Sequence, residues 1–175
     1  MTRILVTGLI GSGKSAVCEY LSELGYPVYD SDSRTKALYE KVPGLKAQIE
    51  KTVGVPFSQL SVIFRDDARR EALESLVYPL VLDDFRRFAS EVAAETVFFE
   101  SAVAFCKPQF VGEFDYTVLV RAPYRMRMLR NPKVAERNAV QQEMDPAAAD
   151  YVIDNDSGLN QLRDRVDRML KTIKI

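Results

Sequence analysis

The chain of 175 residues contains no histidine and only two cysteines. Without histidine there are no Ser-His or Cys-His nucleophilic pairs and no His-ligated metal sites. Any catalysis must therefore rest on carboxylates, lysine, arginine and a bound cation. Cys18 and Cys106 form no CxxC pair, which offers no zinc site and fits a reduced, cytoplasmic protein. Neither sign of charge is in excess. Lys and Arg number 24 and Asp and Glu 25, so there is no global pull towards nucleic acid or an anionic membrane, and neither is an expected partner. Long apolar runs are also missing; none approaches the ~20 residues that span a bilayer. The chain enters its first strand by residue 3 without a signal peptide's apolar stretch, so none is expected. There is no repeat, no low-complexity linker and no long heptad pattern from which an oligomer could be read. The length suits one domain over residues 1–175.

What is present is a regular alternation of elements. "RILVTG" is short, apolar and ends in glycine, as a buried strand does. "KSAVCEYLSEL" follows as a helix, with Ala16, Val17, Tyr20, Leu21 and Leu24 on one apolar stripe. "YPVYD" is a second short strand ending in an acid. Strand, helix and strand in succession make a βαβ unit, so the sheet starts parallel. Residues 33–95 read as mostly helical, with breaks at 42–44 and 54–56. Pro79 either kinks a long helix there or opens a new one. "TVFFE" (96–100), "DYTVLVR" (115–121) and "DYVIDN" (150–155) read as strands, residues 122–148 as helical and polar, and 157–172 as a closing amphipathic helix. About five parallel strands with helices between them predict a three-layer α/β/α architecture.

Residues 6–15, "VTGLIGSGKS", contain the pattern G-x-x-x-x-G-K-[ST] as Gly8, Gly13, Lys14 and Ser15. Backbone N–H groups can converge on a phosphate only where side chains do not obstruct them, hence the glycines. The helix that starts near Lys14 aims its unsatisfied N–H groups and positive dipole end at the same anion. Lys14 can reach the β- and γ-phosphates, and the Ser15 hydroxyl can hold Mg²⁺. Leu9, Ile10, Gly11, Ser12, Gly13, Lys14, Ser15 and Ala16 thus form the candidate nucleotide-binding set. A glycine-rich turn with a solvent-facing lysine is the plainer alternative.

The second strand ends "YDSD", at Asp30 and Asp32. A carboxylate at that sheet edge can accept a proton from an attacking hydroxyl or orient Mg²⁺; either acid can also simply cap the next helix. Asp30, Asp32 and Glu100 all remain candidates for orienting the metal. Between residues 121 and 137 six basic residues face one acid. Arg127 and Arg130, three apart, can act together on one helix face as a lid over a transferring phosphoryl group. A solvated helix face and a small nucleic-acid patch are the alternatives.

Taken in order, "TGLIGSGKS", "LGYPVYDSD", "LESLVYPLV", "VFFESAVAF" and "ADYVIDNDSG" resemble the successive motifs of the dephospho-CoA kinases, a P-loop NTPase family of the nucleoside-monophosphate-kinase-like group. The resemblance implies a P-loop NTPase fold with a helical acceptor-binding region at 33–95 and a lid-like region at 122–148. It implies transfer of the ATP γ-phosphoryl group to the ribose 3′-hydroxyl of dephospho-CoA, with ATP and Mg²⁺. It assigns Asp32 as general base beside Lys14 and Arg130 as catalytic residues, and places the adenine of ATP near Asn155. The chain departs from the family pattern at Tyr78, where the family has histidine before proline. It also has fewer arginines in a shortened lid. A kinase for another nucleotide or small-molecule alcohol, and a nucleotide-binding module without transferase activity, are the other readings; the retained Asp32 speaks against the last.

Overall fold

The computed structural model describes residues 1–138 and 141–175. The chain divides into two compact units, one formed by Met1–Asp30 with Val92–Ile175 and the other by Ser31–Glu91.

The first unit is built on a five-stranded parallel sheet. Its strands are β1 (Thr2–Thr7), β2 (Val28–Asp30), β3 (Thr96–Glu100), β4 (Tyr116–Arg121) and β5 (Tyr151–Asp154), in the spatial order β2-β3-β1-β4-β5. β1 is central because its residues are apolar on both faces, as a parallel strand covered from both sides requires. Its register sets Val6 beside Glu100 on one side and beside Val118 on the other. On one face Ile4, Val6, Phe98, Val118, Val120 and Ile153 meet the apolar stripes of α1 (Lys14–Glu23) and α7 (Leu159–Ile173). On the other, Phe99 lies at the centre of an aromatic cluster. It stacks on Tyr29 at 5.1 Å between ring centroids and meets Phe110 and Phe114, from the β3–β4 connection, at 5.6 and 5.2 Å.

The stretch expected as helix over 122–148 is α-helical only in α5 (Tyr124–Arg130) and α6 (Val134–Asn138) among the described residues; residues 139 and 140 lie outside them. Proline is the reason. Asn131 precedes Pro132 and is extended, at φ −149° and ψ 114°, because the proline ring crowds the helical conformation of the residue before it. Asp145 before Pro146 is likewise extended, and its Oδ1 accepts from the Ala147 N–H at 2.9 Å, capping a single 3₁₀ turn.

The second unit is helical, as expected. It contains α2 (Ser31–Lys41), α3 (Leu45–Val53), a 3₁₀ segment (Phe57–Arg65) and α4 (Asp67–Glu91). Gly44 and Gly54, both left-handed, flank α3. Pro79 lies inside α4, which continues past it as one helix. The proline leaves the Ser75 carbonyl without its helical donor, yet Val77, Val81, Leu82 and Phe85 are buried on either side and hold the two halves in line. Asp84 on α4 is buried and accepts from Arg34 Nε and Nη2 on α2 at 2.7 and 2.9 Å. This bidentate pair crosses between two helices, and removing the carboxylate strands a half-buried guanidinium. Asp84→Ala is expected to lower the unfolding free energy by about 1–3 kcal/mol, read as a lower urea midpoint. An unchanged midpoint would show that the pair contributes nothing.

Candidate active site

The glycine-rich segment runs from the end of β1 into α1, and its glycines are imposed by what crowds it. Gly8 has φ 148°, and a Cβ there would lie 2.1 Å from the Val120 carbonyl oxygen on β4. Gly11, at φ 77°, abuts the Arg127 carbonyl of α5, 2.8 Å from where a Cβ would be. Gly13, at φ 100°, abuts Asn155 Nδ2, which a Cβ would approach to 2.0 Å. Three separate elements therefore press on the loop, and no residue larger than glycine fits those contacts.

The same neighbours hold the loop by its carbonyls. Arg127 Nη1 donates to the Ile10 carbonyl at 3.4 Å. Arg130 Nη1 donates to the carbonyls of Gly11 and Ser12 at 3.3 and 3.4 Å, and Asn155 Nδ2 to the Ser12 carbonyl at 2.8 Å. Arg130 Nη2 in turn reaches the Asn155 carbonyl and side chain at 3.1 and 3.3 Å. In a trans peptide the C=O and N–H point in opposite directions. Tying the Ile10 and Ser12 carbonyls to side chains thus turns the amides of Gly11 and Gly13 the other way, away from Arg127, Arg130 and Asn155. Gly13, the N-cap of α1, brings no side-chain cap and the first turn carries no acid. A helix start without either leaves its first N–H groups open to solvent or to an external anion.

Lys14 folds back over the loop, its Nζ donating to the carbonyls of Gly8 at 2.9 Å and Leu9 at 3.4 Å. Ser15 is exposed, and its Oγ donates to Glu100 Oε1 at 2.9 Å. Glu100 ends β3 in register with Asp30 at the end of β2. Burial pushes the Glu100 carboxyl above its usual range, opposed by the Ser15 hydrogen bond and the Lys14 charge. Burial and then Glu100 itself raise the neighbouring Cys18 thiol well above its usual value. A hydroxyl and a carboxylate side by side are hard oxygen donors and fit Mg²⁺, which takes few protein ligands and completes its shell with phosphate and water. Among the described residues there is no cluster of three or more acids or cysteines that would hold a metal unaided.

The expected residues therefore divide. Leu9 and Ser12 are buried within the loop, Ile10, Gly11, Gly13, Lys14 and Ala16 are half-buried, and Ser15 is exposed. Asn155 is buried and bonded to the loop. Asp32 belongs to the other unit, exposed in the first turn of α2 and two residues after β2 ends; its charge helps to raise the Tyr39 hydroxyl, after burial. Tyr78 on α4 donates through its Oη to Glu74 Oε1 at 3.2 Å.

The basic stretch does not act as one patch. Arg127 and Arg130 turn to the loop, Arg121 pairs with Asp154 across β4 and β5, and Arg125, Lys133 and Arg137 are exposed. Sequence reasoning missed Gln141, whose Oε1 accepts from the Ile10 N–H at 2.9 Å. It lies 131 positions from Ile10, and no motif marks it.

Residues 2–161 match the family model for dephospho-CoA kinase (CoaE). The chain is 30% identical to a dephospho-CoA kinase of Porphyromonas gingivalis, covering 99% of this chain and 95% of that one. Among solved structures it is similar to TT1252 from Thermus thermophilus, with a TM-score of 0.82 and 30% identity over 99% of this chain and 98% of that one. It also shares its fold with the dephospho-CoA kinase from Campylobacter jejuni, with a TM-score of 0.60 and 16% identity over 98% and 96% of the two chains. The family match starts in β1, takes in the phosphate loop and the whole helical unit, and ends within α7. On that span this chain belongs to the dephospho-CoA kinase family.

Proposed function

We propose that this protein transfers the γ-phosphoryl group of ATP to the ribose 3′-hydroxyl of dephospho-CoA, giving coenzyme A and ADP. The observation that carries the donor half is the loop braced from its carbonyl side. An empty turn has no need of two arginines and an asparagine on three successive carbonyls, whereas a phosphate cradle needs its amides fixed in advance. The family assignment supports the acceptor half. Helices α2–α4 serve as the acceptor-binding region, and residues 122–148 as a short lid.

In this reading the amides of the 9–16 segment grip the phosphates, and Lys14 moves its charge from the Gly8 and Leu9 carbonyls onto the β- and γ-phosphates. Ser15, with Glu100 beside it, holds Mg²⁺, which when bound neutralises charge on the phosphate oxygens. Asp32 accepts the proton of the 3′-hydroxyl as that oxygen forms its bond to the γ-phosphorus. The bond from the γ-phosphorus to the β,γ-bridging oxygen breaks, and ADP leaves. Arg130 supplies positive charge beside the loop while the transferring group carries its negative charge. Asn155 sits where the adenine side of the nucleotide is expected. Both cysteines are free thiols, which supports a place in the reducing cytoplasm.

An assay coupled to ADP release tests the acceptor. Dephospho-CoA should raise the rate well above the background with ATP alone. A rate with a nucleoside monophosphate or another small alcohol, and none with dephospho-CoA, would reassign the acceptor. Asp32→Asn should lower kcat by roughly 10²–10⁴-fold with little change in ATP affinity; a near-native kcat removes Asp32 from the base role. Gly13→Ala should weaken ATP binding by at least about tenfold, because strain and overpacking at one site commonly cost 1–3 kcal/mol. Calorimetry showing native affinity would mean that the loop can yield at Asn155.

A further inference from the structure

Asn155 is bonded at each of its four polar groups. Its N–H donates to the Arg121 carbonyl at 2.7 Å and its Nδ2 to the Ser12 carbonyl at 2.8 Å, while its own carbonyl and Oδ1 accept from Arg130. Residues 155–158 lie between β5 and α7, outside regular structure, so side chains must help to fix them. Arg165 on α7 does so. Its Nη1 donates to the Asp154 carbonyl and, at 2.7 Å, to Asp156 Oδ1. Nη1 carries two hydrogens, so one nitrogen serves both acceptors, and they stand on either side of Asn155. The Arg165 bond, and then one from Ser157, hold the Asp156 carboxyl below its usual range. Both Arg165 bonds go to this turn and neither goes to the phosphate loop.

We infer that Arg165 is a positioning residue for nucleotide binding, which acts on the phosphate loop through Asn155. The peptide between Asp154 and Asn155 is planar, and it is gripped at both ends: Arg165 takes its C=O and the Arg121 carbonyl takes its N–H. Fixing that plane fixes the direction in which the Asn155 side chain leaves the backbone. The tolerance is small, because Nδ2 must reach the Ser12 carbonyl while lying against Gly13, where a Cβ would come within 2.0 Å of it. The other end of the Ser12 peptide is the Gly13 N–H at the start of α1, so the turn that Arg165 holds sets the orientation of that amide. This deepens the donor-site reading and rests on it.

Arg165→Met keeps an unbranched stem and removes both donors. Calorimetry with ATP and with inorganic tripolyphosphate, which carries phosphates but no base, tests the variant. It should bind both more weakly by the same factor, about 2- to 30-fold, as expected for a residue coupled to a site it does not touch. In an Asn155→Ala background the same substitution should cost less than about twofold more, because the side chain it acts through is gone. Without ligand, the Gly13 amide resonance of ¹⁵N-labelled Arg165→Met should differ from that of the unaltered chain, while that of Gly112 on the β3–β4 connection stays in place; this reading stands even where Asn155→Ala fails to fold. Native affinity in Arg165→Met, a loss for ATP alone, an equal loss in both backgrounds or an unmoved Gly13 resonance overturns the proposal and leaves the donor site standing. Failure of the unaltered chain to bind either ATP or tripolyphosphate overturns both.

Discussion

The structure turns on how one loop's carbonyls are held. In the proposed donor site the backbone between the end of β1 and the start of α1 exposes several N–H groups to the same small volume, which an isolated chain resists because those dipoles repel. Here the Ile10, Gly11 and Ser12 carbonyls are each tied from outside the loop by Arg127, Arg130 or Asn155. Those three side chains come from α5 and from the turn after β5, so the cradle exists only when the sheet has assembled. The close approach that makes the bonds possible is also what demands glycine at positions 8, 11 and 13.

Strand order explains why those partners are within reach. β1 lies between β3 and β4 in a parallel sheet, so the carboxyl ends of all three open on the same edge. Open α/β sheets gather ligands at that edge. Glu100 arrives there on β3 beside Ser15, and Val120 on β4 beside Gly8. Asn155 comes after β5 and meets Gly13. The electrostatics follow from the same crowding. A half-buried carboxylate is an expensive group, and the hydroxyl of Ser15 and the charge of Lys14 offset part of that cost. A bound cation would offset more, which is why burial of Glu100 and metal binding are physically compatible.

The helical unit has a different logic. Its sequence is punctuated by Gly44 and Gly54, which take left-handed conformations at the ends of α3. Its helices are joined by the buried Arg34–Asp84 pair as well as by apolar contact. The unit carries Asp32 at its first turn and Tyr78 on its longest helix, so the residues proposed to bear on the acceptor are separate in sequence from those proposed to grip phosphate.

Much of this was readable from the residues in order. The apolar runs of β1, β3 and β4 marked buried strands, the stripe Leu162, Val166, Met169 and Leu170 marked a helix lying on the sheet, and the spacing of Gly8, Gly13, Lys14 and Ser15 marked a phosphate loop, because these signals are local. The stretch 122–148 misled, since polar helix-forming residues outweighed Pro132 and Pro146 in the reading but not in the backbone. The sequence by itself determined the strand–loop–helix at the amino end and the alternation that makes a parallel sheet, because periodicity and glycine act over a few residues. Only the tertiary structure decided that Arg130 and Asn155 hold the loop's carbonyls, that Glu100 meets Ser15 and that Gln141 covers the Ile10 amide. Those partners lie 85 to 143 positions apart, and no local pattern encodes which side chain a folded sheet will bring to which peptide.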